Sequence, residues 1–172
     1  MKTLMFLNER ETVLVSDLLS RSMLNELVTS ERSASELARK LDVPTLKVWR
    51  RMQKLLGEGI VELSGTRKSG NLEIKLYRAT AASFVPAQLL TFKPKDGRLS
   101  EAFEIFSEIQ KSIMVLYSSS EIPKNADPFD FALYANMRAF VNICGGPDAQ
   151  EKISELERKL SEYAKDELKD MA

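Results

Sequence analysis

The chain of 172 residues contains no histidine and a single cysteine, Cys144. Without histidine the commonest general base is missing. No glycine-rich phosphate loop, G-x-S-x-G elbow or metal triad is present either. The carboxylates sit among lysines on helix-like surfaces, so catalysis is not expected. A soft or borderline metal site needs several Cys or His ligands, which excludes that kind of metal sensing. EF-hand spacing is also missing, and no cofactor is expected. One cysteine forms no internal disulfide. With neither a basic nor a histidine neighbour, Cys144 reads as an inert thiol rather than a redox sensor.

Long apolar runs are lacking as well. Leu4 to Leu7 is too short for a signal-peptide core, and no stretch approaches the roughly 20 apolar residues of a membrane span. The expectation is a cytoplasmic protein that does not engage a membrane. Net charge is zero, with 25 basic and 25 acidic residues. A neutral total gives no general affinity for nucleic acid. The distribution is uneven, however: residues 1–80 hold 14 Lys/Arg against 10 Asp/Glu, and residues 81–172 hold 11 against 15. Any binding to DNA would depend on a local patch, and on two copies of it.

The basic excess falls around Ser33 to Arg78. Ser33 and Glu36 form an S-x-x-E capping box, so a helix is expected to begin there. Ala34, Leu37, Ala38 and Leu41 follow on one helical face. Asp42-Val43 is a short break, and Pro44 suits the first turn of a second helix running to about Leu56. On that helix Lys47, Arg50, Arg51 and Lys54 are spaced i, i+3, i+4, i+7 and make a basic stripe. Val48, Met52, Leu55 and Leu56 fill the opposite arc, with Trp49 at its edge. No acid occurs from Pro44 to Gly57, whereas solvated faces usually mix signs.

A hairpin is expected next. Ile60-Val61-Glu62-Leu63 leads into the turn-rich stretch Gly65–Asn71, and Leu72, Ile74 and Leu76 then alternate with polar residues. Arg67 and Lys68 are placed at its tip. Helix, break, basic helix and basic hairpin together give a winged helix-turn-helix: one helix for a DNA groove, one loop for the backbone beside it. Thr45, Lys47, Arg50 and Arg51 are the candidates to reach base edges or flanking phosphates. Lys54, Arg67 and Lys68 are the candidates to hold the backbone.

Residues from about 16 to 80 resemble the ArsR-like class of winged-helix transcription regulators. The likeness is carried by Ser33-Ala34-Ser35-Glu36-Leu37-Ala38-Arg39-Lys40-Leu41, by Val48 and Leu55, by Gly59-Ile60-Val61 and by Leu76-Tyr77-Arg78. Ser16 to Val28 matches the helix that precedes them. The resemblance implies a sequence-specific regulator of transcription. Two departures stand out. Leu46 and Trp49 occupy places where such helices often carry Ser or Thr, and the Cys and His ligands of the metal-sensing relatives are missing.

The remaining expectations are coarser. The first 15 residues suggest a small hairpin, Leu4–Leu7 and Thr12–Val15 around Asn8–Glu11, with a helix as the alternative. Residues 1–80 are assigned to the DNA-binding domain, 81–98 to a connector and 99–172 to a helical dimerisation or effector region. Three helices are expected there: Leu99 to Ser118, Pro128 to about Ile143, and one from a cap at Asp148 to near the C-terminus. The aromatic second helix suits a helical core or a dimer interface better than a ligand chamber. In the third helix Ala149, Ile153, Leu156, Leu160 and Tyr163 form a short heptad seam. That seam suits packing inside one chain or pairing in a homodimer. The fold class is thus mainly α with a small β-hairpin wing. The partner expected is double-stranded DNA; a small-molecule effector is left open. The alternative from another class is a winged-helix protein-interaction module of a larger assembly.

Overall fold

A computed structural model of the chain describes residues 1–90 and 93–167. It is mainly α with a small β-hairpin: a winged helix-turn-helix followed by a helical C-terminal region. The chain divides into two compact units, Met1–Ala87 with Ser120–Leu133 and Gln88–Ser119 with Tyr134–Ala172. No helix among the described residues is long and apolar enough to cross a membrane.

The first unit opens with strand β1 (Lys2–Leu7) and helix α1 (Glu9–Ser16). The hairpin expected around Asn8 is therefore incorrect, and the helical alternative holds. The reason is a capping box. The Asn8 side chain accepts from the Glu11 backbone N–H at 2.9 Å, and the Glu11 carboxylate accepts from the Asn8 N–H at 2.7 Å, satisfying two of the donors that an uncapped helix leaves orphaned. β1 finds its partner far along the chain, in β4 (Ala81–Pro86). The two run parallel, with Lys2 opposite Ala81 and Leu7 opposite Pro86. The stretch read as a connector thus begins with a strand, which buries Ala81 and Ala82. The other edge of β1 meets residues 120–122. Thr3 donates from its backbone N–H and its hydroxyl to the Ser120 carbonyl, both at 3.2 Å, and Ile122 N–H donates to the Met1 carbonyl at 3.0 Å.

Between these strands lies the winged helix. Helices α2 (Leu18–Thr29), α3 (Ala34–Leu41) and α4 (Thr45–Gly57) precede a hairpin of β2 (Val61–Ser69) and β3 (Leu72–Ala79). Asp17 caps α2, its carboxylate accepting from the N–H groups of Leu19 and Ser20. The Ser33–Glu36 box caps α3 as expected. Met23, Leu27, Leu37, Val48, Met52, Leu55, Ile60 and Val61 form the fully buried centre, one apolar stripe from each element. Arg32 pairs with Tyr77 through two backbone hydrogen bonds, at 2.9 and 3.0 Å, adding a single-residue third strand to the hairpin.

In the second unit α5 (Gly97–Ser118) packs on α7 (Pro147–Glu167). Their ion pairs, Glu108 with Lys152 at 2.6 Å and Glu101 with Lys159 at 2.7 Å, fall in reverse order along the two helices, so these run antiparallel. The Arg98 guanidinium lies over the Tyr163 ring at 5.5 Å and continues the series. Leu156 and Leu160 of the heptad seam line a groove of about 480 Å³ with Leu99, Ala102, Phe103 and Phe106 of α5. The seam packs on α5 only in part: Ala149 is buried, whereas Leu160 stays 43% exposed on the groove. Asp148 stands in the first turn of α7 rather than at its cap, since the helix already begins at Pro147. Residues 91–92 of the expected connector and the final residues 168–172 lie outside the described residues.

Helix α6 (Pro128–Cys144) does not form the aromatic core that its composition suggests. Ala132, Ala135 and Ala139 are its buried residues, whereas six of its large side chains are about half exposed and only Phe131 and Ile143 are more covered.

Candidate nucleic-acid interface

The turn from α3 to α4 sets the exposed surface. Asp42 ends α3 in the left-handed conformation (φ 52°), which Asp tolerates better than most residues. The Val43 N–H reaches back to the Ala38 carbonyl at 3.0 Å. Pro44 is the N-cap of α4 rather than its first helical residue, and no side chain caps this helix. Its inner face, Val48, Met52 and Leu55, is fully buried. Helical rotation then turns Leu46, Lys47, Arg50, Gln53 and Lys54 to solvent. Thr45, at the first turn, is also exposed.

The expected basic stripe divides. Lys47, Arg50 and Lys54 are exposed, and none has an ion-pair partner among the described residues. Arg51 is different. It follows the buried Val48 by three positions and precedes the buried Leu55 by four, so it lies at the margin of the core-facing arc. Its guanidinium meets the Asp17 carboxylate at 3.1 Å and is only 22% exposed. The same carboxylate caps α2, so Arg51 ties α4 to the start of that helix. Around it Leu19, Pro44, Leu46, Lys47, Arg50 and Lys54 border a shallow depression of about 300 Å³.

The wing also differs from its sequence reading. Gly65 to Ser69 continue β2, and only Gly70 and Asn71 turn the chain, Gly70 with φ 61°. A bulge between Leu63 and Gly65 shifts the register. Arg67 and Lys68 therefore sit in paired strand, opposite Ile74 and Glu73. Adjacent strand residues point to opposite faces. Arg67 turns toward α3, where it is ion-paired with Glu36. Lys68 shares the other face with Glu73, Thr66 and Lys75.

Glu36 is the most perturbed carboxylate in this region. Its pKa falls from 4.5 to about 2, first because the Ser33 backbone N–H donates to it at 2.8 Å, then because Arg67 does. These bonds favour the charged form. Sequence reasoning missed two further cations. Arg39 borders a polar groove of about 520 Å³ with Ser35, Asp42, Pro44 and Thr45. Lys75 is exposed on the wing, opposite Thr66. The alternation of β3 carried a signal for Lys75; Arg39 lay inside a motif read only for its cap and core positions.

No protein-family model matches the chain. No curated protein matches it either. Among solved structures, PadR of Bacillus subtilis in complex with operator DNA is 15% identical, with a TM-score of 0.36, covering 83% of this chain and 99% of that one. A MarR family regulator from Neisseria meningitidis is 18% identical, with a TM-score of 0.32, covering 81% and 80%. At such low identity and TM-score, likeness fixes neither family nor ligand. The resemblance to the ArsR-like class accordingly rests on residues 16–80 alone.

Proposed function

We propose that the protein is a sequence-specific, DNA-binding transcription regulator that acts in the cytoplasm as a homodimer and carries out no catalysis. One observation carries this reading. The solvent face of α4 presents Lys47, Arg50 and Lys54 without an acidic neighbour on the helix, while its opposite face is locked into the core. A helix held in this way enters a major groove as a rigid body. Arg50 is the leading candidate for a base edge, since arginine pairs with guanine O6 and N7 in a bidentate fork. Thr45, Lys47 and Lys54 contact bases at the rim or flanking phosphates. Lys68 holds the backbone from the wing, and Arg67 joins it once phosphate competes with Glu36. Arg51 acts chiefly by orienting α4. Two copies read a palindromic site with half-sites about one helical turn, roughly 34 Å, apart.

The test is selection from a pool of random duplex DNA at low and moderate salt, with Arg50→Ala as the control. The expected result is a palindromic motif that the variant no longer enriches. Binding without enrichment overturns the claim of specificity.

A second reading has its own observation. Leu46 and Trp49 stand 59% and 39% exposed on the same helix, as an interaction module for another protein would have them. Salt separates the two. Several phosphate contacts lose affinity steeply as salt rises, whereas a Trp-anchored protein interface does so weakly.

A further inference from the structure

Helix α6 is inside out. Its buried side is lined by Ala132, Ala135 and Ala139, whereas Phe129, Leu133, Tyr134, Met137, Phe140 and Val141 are 45 to 63% exposed. At 100° per residue those six fall within an arc of about 140° along one unbroken helix. Six large side chains about half exposed present on the order of 600 Å² of largely apolar surface. That is the upper end of what a monomer leaves to water, about 300 to 600 Å². It also approaches the roughly 800 Å² that each partner contributes to a standard interface.

We infer that this face of α6 pairs with the same face of a second copy, the two helices running antiparallel about a twofold axis near Tyr134. The inference gives the homodimer of the proposed function its surface, and it rests on that reading for the dimer's role. Two features favour a second copy over another occupant. The heptad seam of α7, the other candidate for pairing, is partly covered by α5, with Ala149 buried and Lys152 and Lys159 tied to Glu108 and Glu101, which leaves Leu160 as its one exposed large side chain. And α6 is self-complementary in charge. Its two charged residues are Asp130 and Arg138, neither with an ion pair among the described residues. Antiparallel pairing centred near Tyr134 brings each Asp130 beside Arg138 of the partner subunit. Such mutual pairing is what a twofold, isologous contact requires. The surrounding Phe, Leu and Met side chains then fill the water-excluding centre of the contact.

The experiment is sedimentation velocity of the full chain without DNA, from about 1 to about 100 µM. The wild type is expected to be a dimer. Met137→Glu and Phe140→Glu are each expected to raise the dimer dissociation constant at least about tenfold. Both positions are solvent-exposed in the single chain, so helical circular dichroism should stay unchanged. Arg138→Glu should weaken the dimer, and adding Asp130→Arg should restore it. A monomeric wild type across this range overturns the inference, as does a dimer indifferent to Met137→Glu and Phe140→Glu, or a charge swap that restores nothing. A dimer that responds as described but binds no DNA supports the surface and overturns the DNA-binding reading instead.

Discussion

Arg67 of the wing is ion-paired with Glu36, the third residue of α3 and the acidic half of its capping box. One carboxylate thus ends a helix and anchors a hairpin. Its pKa of about 2 makes that anchor sensitive to pH. A depressed carboxylate contributes stability that is fully present above its unfolded value, here about 4.5, and is lost as pH falls toward 2. Glu36 is about a quarter exposed, so the contribution is discounted for solvent to about 1–2 kcal/mol. Glu36→Gln removes this titration. The difference in urea midpoint between wild type and Glu36→Gln is therefore expected to be largest near pH 6 and to shrink steadily below pH 4.5. A difference that stays constant down to pH 2.5 counts against the assignment.

The two arginines adjacent in the sequence of α4 are expected to separate cleanly. Arg51→Ala breaks the tie to Asp17 and is expected to cost about 0.5–1.5 kcal/mol of stability, read as a lower thermal midpoint. Arg50→Ala touches no partner in the fold, so its effect on stability should stay within about 0.5 kcal/mol. In DNA binding the order reverses: Arg50→Ala should lose discrimination between sequences, by about 1–3 kcal/mol at one base pair. Equal thermal midpoints for the two variants would show that the Asp17–Arg51 pair does not hold the helix.

Much of this architecture was legible. The Ser33–Glu36 box announces α3, and the spacing of Leu37, Val48, Met52 and Leu55 marks the faces that meet in the core. What escaped has physical causes. The pairing of β1 with β4 joins strands on either side of the whole winged helix, and parallel pairing at such separation leaves no local signal. The Asn8–Glu11 box was visible, but its neighbours' short apolar runs favoured strands. Arg67 and Lys68 look in sequence like one loop-borne pair, but strand pairing extends through both and puts them on opposite faces. Helix α6 is apolar nearly all round, and such a helix does not reveal from sequence which face turns inward.

The cap of α1 offers an independent check on the N-terminal correction. Asn8→Ala removes one acceptor and leaves the Glu11 N–H without its partner. A loss of about 1 kcal/mol is expected, measured by urea denaturation. Had Asn8 been a hairpin turn residue, Asn8→Gly would be favourable there; at a helix N-cap it is expected to cost only a few tenths of a kcal/mol. An increase in stability with Asn8→Gly would argue for the turn.

If α4 reads DNA as proposed, Leu46 bears on which bases it selects. It is exposed in the first turn of α4, beside Lys47 and bordering the same depression as Arg50. The one apolar group in the major groove is the thymine methyl. If α4 lies in that groove, Leu46 is placed to contact a thymine near the guanine read by Arg50. Replacing each thymine of the selected site by deoxyuridine removes the methyl and nothing else. One position is expected to lose affinity about three- to tenfold on this substitution, the scale of one buried methyl. Leu46→Ala should bind the thymine and uracil forms of that position equally well. If wild type and Leu46→Ala respond alike at every position, Leu46 does not read thymine, and its exposure points to the protein-interaction reading.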